Sequence, residues 1–324
     1  MSGEVFGYIG GIILDNLKKQ PKTKNQHYVP QMYIKRFGYG TDDKRRISVL
    51  FKDNGKILHN QNPENFACKN YFYDVPREIL EEALDVDFNI FPEIKGNFHL
   101  GEEQFVEHAL SREESQYKKM LDDIGDKPEL IYTDEISAIF IAFIHSLAYR
   151  TKHFRDTIDE INDKTEGILR KMCHNIGLDD AETEREIKLN CMSGKRQQME
   201  YIVSTVPVLE TMNKFMDNYN WYIANNDTKL DFIIGDDPAK PVWLVTNDIC
   251  IPISKTIAIV LRVKNEQAPL FSRDVPNENV INMTLKGVIS YNLIQIAMAQ
   301  SYLFGSKETI EYMSKFNSLI NCTK

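Results

Sequence analysis

Apolar residues alternate with polar ones across 45–52, where Ile47, Val49 and Phe51 share one side of an extended chain. Asp53-Asn54-Gly55 follows, with Asn54 and Gly55 both tolerant of positive φ, and 56–59 returns, so the pattern predicts a β-hairpin. From Glu102 the apolar spacing becomes helical, through Phe105, Val106, Ala109, Leu110, Tyr117, Met120, Leu121 and Ile124, and Gly125 and Pro128 close it. Thr133 is placed to cap a second helix, with Asp134 and Glu135 in its first turn. That helix reads as almost wholly apolar from Ile136 to Ala148. Beyond Arg150 it becomes amphipathic and continues as far as Asn175, before Gly177. A third helical region covers 181–216, interrupted at Gly194 and Pro207.

Short strand-like runs then take over at 221–224, 231–234, 242–245, 249–253 and 256–263, and helix returns over 277–302 and 307–319. Two groups of strands around a helical middle predict an α+β fold. Its mostly antiparallel sheet would come from the N-terminal hairpin and the C-terminal strands, packed with the long helical section. The chain reads as a single domain over 1–324, with 102–216 a candidate helical subdomain. If the hairpin shares a sheet with the later strands, His27 comes near Asp236.

An apolar content of 42% and a charged content of 27% suit a soluble globular protein. The longest apolar run, 136–149, is too short to cross a bilayer, and the apolar patch 5–14 lacks the basic start and cleavage site of a signal peptide. Five scattered cysteines without a C-x-x-C pair argue against a disulfide framework or a zinc knuckle, and for a reducing cytoplasm. The net charge of −8 speaks against a protein that coats nucleic acid non-specifically. It is unevenly spread: residues 1–52 carry a net of +6, leaving −14 for the rest. A solvated face is the plain explanation of that basic excess, and an anion-binding mouth is the sharper one.

The excess surrounds Asn25-Gln26-His27-Tyr28-Val29-Pro30-Gln31-Met32-Tyr33-Ile34-Lys35-Arg36-Phe37-Gly38. Pro30 pushes Val29 into extended backbone and suits the first position of a helix, and Gly38 suits its end. An extended arm ending at His27 should therefore lead into two turns of helix over 30–37, with Gln31 and Lys35 on one side. This run resembles the start of a bacterial family catalogued as domain of unknown function 4238, whose members open with His-Tyr-Val-Pro-[Gln/Lys]-Phe-Tyr-Leu-x-x-Phe. His27 to Gln31 match, Met32 replaces the usual aromatic, and Tyr33, Ile34 and Phe37 fit. The resemblance reaches Ile233-Ile234-Gly235-Asp236-Asp237-Pro238, where Gly235 and Asp237 stand for the family's serine and asparagine. It also reaches Arg150-Thr151 and Asn292. What it implies is a set of positions, not an activity.

Two classes of function follow from those positions. In the first, a hydrolase or nuclease acts on a phosphodiester or other anionic substrate, with RNA the sharpest version. His27 would be the general acid/base, and Asp236 and Asp237 would hold a divalent metal or orient the nucleophile. Arg150 and Lys35 would stabilise negative charge, while Tyr28, Gln31, Lys35 and Asn292 contact the substrate. In the second class, the same polar cluster recognises a nucleotide, nucleic acid or other partner without chemistry. Plainer readings stand beside each residue: Asp236-Asp237-Pro238 is a common turn, and Asn292 can be an ordinary helix residue. His145, which shares a helical stripe with Tyr149 and His153, reads as a packed core histidine rather than a ligand. Glu93-Ile94-Lys95, below Asp85 and Asp87, faintly echoes a nuclease pattern. No G-x-S-x-G, P-loop, G-x-G-x-x-G or kinase signature occurs.

Overall fold

A computed structural model describes residues 22–41, 44–76, 104–239, 248–264 and 279–321. The expectations for 5–14, 85–95 and 242–245 lie outside the described residues. The first half runs β1 (Asn25–His27), α1 (Gln31–Ile34), β2 (Ile47–Phe51), β3 (Ile57–Gln61), β4 (Cys68–Asn70), α2 (Phe105–Asp126), α3 (Asp134–Tyr149) and α4 (Lys152–Asn175). Next come α5 (Asp180–Asn190), α6 (Gly194–Val203), α7 (Thr205–Asn218), β5 (Tyr219–Asn225), β6 (Ile234–Gly235) and β7 (Asp248–Pro252). The chain closes with β8 (Ile257–Val263), β9 (Val280–Asn282), α8 (Leu285–Met298), β10 (Tyr302–Gly305) and α9 (Lys307–Asn321). The class is α+β with largely antiparallel sheets, as the change of hydrophobic period predicts. Contacts divide the chain into two compact units, one of 1–24, 73–110 and 149–204, the other of 25–72, 111–148 and 205–324.

In the second unit the N-terminal hairpin does share a sheet with later strands, in the order β3-β2-β10-β6, all antiparallel. One face of this sheet is dry. Leu50 and Leu303 pack there with Ile233, Ile296, Ala299, Ile310 and Met313 beneath α8 and α9. The remaining C-terminal strands form a second sheet, β7-β8-β5-β9, in which only the β5–β9 pairing is parallel. The hairpin turn is longer than a two-residue loop. Phe51 N donates to Lys56 O and Gly55 N to Phe51 O, Gly55 has φ +70, and Asn54 does not share its left-handed conformation.

α1 continues as a 3₁₀ turn to Phe37. Gly38 ends it with extended backbone rather than a left-handed cap, and glycine is needed there because a Cβ would lie 2.5 Å from Arg46 O. Arg36 pins this segment by donating to Ile253 O, Leu121 O and Asp122 Oδ1. Tyr33 Oη donates to Pro252 O at 2.6 Å, and its ring packs edge-on against Phe37 and Phe143.

The long helix expected over 133–175 is broken at Arg150-Thr151. Thr151 Oγ1 caps α4 by accepting from Phe154 N. Three carbonyls at the break find donors: Gln198 Nε2 donates to Tyr149 O and Thr151 O, and Tyr73 Oη to Arg150 O. His145 and His153 therefore belong to different helices, and no stripe joins them. In the first unit α4 packs against α5 and α6. The chain opens α7 with Pro207 in its first turn, where a proline is tolerated. The helix expected over 277–302 contains only α8, flanked by β9 and β10.

Candidate functional site

β1 and β4 form a two-stranded antiparallel ribbon in which Asn25 faces Asn70 and His27 faces Cys68. Alternate residues of a strand and directly opposed residues share a face. Asn25, His27 and Cys68 therefore stand together, while Gln26 turns inward and is fully buried. All three reach one backbone carbonyl, that of Glu64. Asn25 Nδ2 lies 3.2 Å from it, His27 Nε2 3.1 Å and Cys68 Sγ 3.7 Å. A carbonyl can only accept, so His27 carries a proton on Nε2 and its Nδ1 is the basic nitrogen.

The segment that carries this carbonyl is held in uncommon backbone. Asn60, Ala67 and Tyr71 have φ of +58°, +50° and +53°, and the last two bracket β4. Left-handed backbone costs a residue with a Cβ about 1–2 kcal/mol and persists only where neighbours enforce it. Here they do: Ala67 O accepts from Tyr28 N, and Asn60 N donates to Tyr39 Oη.

Beside the ribbon lies an aromatic group. The Phe66 ring centroid is 6.3 Å from Phe51, 5.6 Å from Tyr302 and 6.3 Å from Phe304. Phe51 and Tyr302 are 5.4 Å apart and both keep partial exposure. Burial lifts the Tyr302 phenol, and negative charge on Asp236, Cys68 and Asp53 lifts it further. Burial also lifts the Cys68 thiol, against the Asn25 amide that hydrogen-bonds to it. The ribbon and the 233–238 block thus both act on the charge of one phenol.

Asp236 is buried behind it. Its Oδ1 accepts from Gln300 N at 2.7 Å and its Oδ2 from Ser301 N at 3.0 Å, while its own N donates to Tyr302 O. Burial raises its pKa, and the backbone donors oppose the rise. Asp237 is buried beside it and also engaged. Asn292 accepts from Ile233 N at 3.1 Å and donates to Asp231 O at 2.9 Å. One turn later Gln295 accepts from Gly235 N and donates to Pro238 O. These two α8 amides act as a substitute strand along β6. The sequence reading missed Gln295, although its i+3 spacing from Asn292 was visible.

Tyr28 packs inward against Phe72, with ring centroids 5.8 Å apart. Gln31 and Lys35 are half-exposed just after the ribbon, and Lys35 O accepts from Arg45 Nη1. His27, Asp236, Asp237 and Asn292 fall in the second unit, and Arg150 falls in the first. There Arg150 is buried beside Tyr73, whose phenol burial pushes up to about 12 while Arg150 draws it down. Arg155, hydrogen-bonded to Gln198 Oε1, joins this cluster. His145 is a packed histidine, with Nδ1 3.2 Å from Thr211 Oγ1.

Ser48 Oγ lies 2.9 Å from His59 Nδ1, and His59 Nε2 lies 3.2 Å from Glu311 Oε1. This Ser-His-Glu row has a fully buried hydroxyl that no substrate reaches, so it ties α9 to the hairpin instead. Among the described residues no group of three His, Cys, Asp or Glu side chains is arranged to hold a metal ion. No helix among them is long and apolar enough to cross a membrane.

The family described as Protein of unknown function (DUF4238) matches residues 25–309, and the chain belongs to it. No curated protein and no solved structure matches the chain.

Proposed function

We propose that this member of the family is an enzyme that cleaves a phosphodiester or similar anionic group, with His27 as the general acid/base. One observation carries the reading: a backbone carbonyl fixes the His27 tautomer, on a ribbon bracketed by left-handed Ala67 and Tyr71. A half-exposed imidazole held in that way is prepared for proton transfer. RNA is the substrate that suits it best, because the neighbouring 2′-hydroxyl can supply the nucleophile. His27 Nδ1 takes that proton as the new O–P bond forms. The P–O5′ bond breaks with O5′ taking a proton from water, and a 2′,3′-cyclic phosphate and a 5′-hydroxyl remain while the imidazolium returns its proton to solvent. Phe51 and Tyr302 offer faces for base stacking, and Gln31 and Lys35 would contact the anionic substrate. Asp236 and Asn292 act by positioning Tyr302 and β6. The free thiols of Cys68, Cys173 and Cys191 suit a reducing cytoplasm.

The second reading, a non-catalytic module for nucleotides or nucleic acid, is favoured by the commitment of Asp236 and Asn292 to backbone partners. One experiment separates the two. Single-stranded RNA, single-stranded DNA and bis(p-nitrophenyl) phosphate are incubated with the wild type and with His27→Gln, with and without chelator. The enzyme reading expects RNA ends with cyclic phosphates, lost in His27→Gln. Intact RNA bound by the wild type alone supports the module, and neither cleavage nor binding overturns both.

A further inference from the structure

α4, with 24 residues, is the longest helix among the described residues. Its buried side, which includes Cys173, packs against α5 and α6. Elsewhere it exposes large apolar side chains: Ile161 is 52% exposed, Ile168 59% and Met172 56%, and Ile176 at its C-terminal cap is 73% exposed. At about 100° per residue, Ile161, Ile168 and Met172 fall within an arc of roughly 40°. Single exposed apolar residues are ordinary, but a continuous stripe of them marks a contact surface.

We propose that this stripe is the contact of a homodimer, in which two copies pair α4 antiparallel about a two-fold axis near Gly167. The spacing is self-complementary. Reversing the helix about that point sets Ile161 of one copy against Met172 of the other, and Thr165 against Ile168, so one patch serves both copies. Charge selects the antiparallel arrangement. Glu160, Lys164 and Lys171 are exposed along one flank of the stripe. An antiparallel pair brings each Glu160 beside the other copy's Lys171, whereas a parallel pair would turn the two charged flanks to opposite sides of the contact and leave them unpaired. The stripe spans only about 17 Å of helix, so the contact belongs to the smaller class of interfaces and should be reversible with concentration.

Sedimentation velocity on the full chain tests this, with circular dichroism reporting that each variant is folded. The wild type should move from one chain mass towards two as its concentration rises through about 1–100 μM. Ile168→Glu should remain a monomer throughout. Glu160→Lys and Lys171→Glu should each weaken the dimer about tenfold, and the double reversal Glu160→Lys/Lys171→Glu should restore it. A wild type that stays monomeric overturns the proposal. So does a dimer that ignores Ile168→Glu, or one that the double reversal fails to restore.

Discussion

Backbone N–H groups of Gln300 and Ser301 hold the Asp236 carboxylate at the turn between α8 and β10, and burial still raises its pKa. A raised value means that the folded chain binds the proton more tightly than the unfolded chain does. The stability this provides is complete below the ordinary carboxylate range and is lost as pH rises through the raised value. Asparagine at this position keeps the shape and does not titrate. The melting-temperature gap between wild type and Asp236→Asn should therefore shrink from about pH 4 to about pH 8. A gap that widens with pH would show that the ionised carboxylate is the stabilising form. Gly38 and Arg36 teach a related lesson at this scale. Both lie in the most recognisable stretch of the sequence, yet one is required by the Arg46 carbonyl and the other by carbonyls more than eighty residues away.

α8 and β6 are joined as one element by side chains. Asn292 and Gln295 bond to the β6 backbone, and Gly235 lets the C-terminal end of α8 come close: a Cβ at 235 would lie 2.8 Å from Ala299 Cβ. Gly235→Ala should consequently cost about 1–3 kcal/mol in chemical denaturation, as overpacking of a tight contact does. Ala299→Gly should recover part of that loss in the double variant. An additive double variant would show that the two positions do not meet. Hydrophobic period made most elements legible, including the hairpin, α2, α9, β5, β7 and β8. The breaks were harder to see. Nothing in the apolar pattern stops the helix at Arg150, because the stop depends on donors from Tyr73 and Gln198, far away in the chain. β9 is a short strand that the helical period over 277–302 absorbs, and β10 is a short strand left in the gap between two expected helices.

For the molecule as a whole, the motif positions were legible and their division of labour was not. His27, Asp236 and Asn292 all lie in the unit that contains the ribbon, but their neighbours treat them differently. Asp236 and Asn292 are buried among their backbone partners, while His27, which donates to Glu64 O, is half-exposed beside Cys68, Asn25 and a strained loop. Cys68 escaped notice because strand register, not sequence spacing, brings it to the histidine, and Tyr302 because its ring meets Phe51 and Phe66 from a distant strand. The measurement that tests this account most directly compares turnover and melting temperature in His27→Ala. Asn25 still donates to Glu64 O when the imidazole is gone, so the carbonyl keeps a partner. The account therefore predicts RNA cleavage reduced at least about 100-fold, with the melting temperature within about 2 °C of wild type. Retained cleavage together with a large fall in melting temperature would make His27 a structural residue and contradict the account.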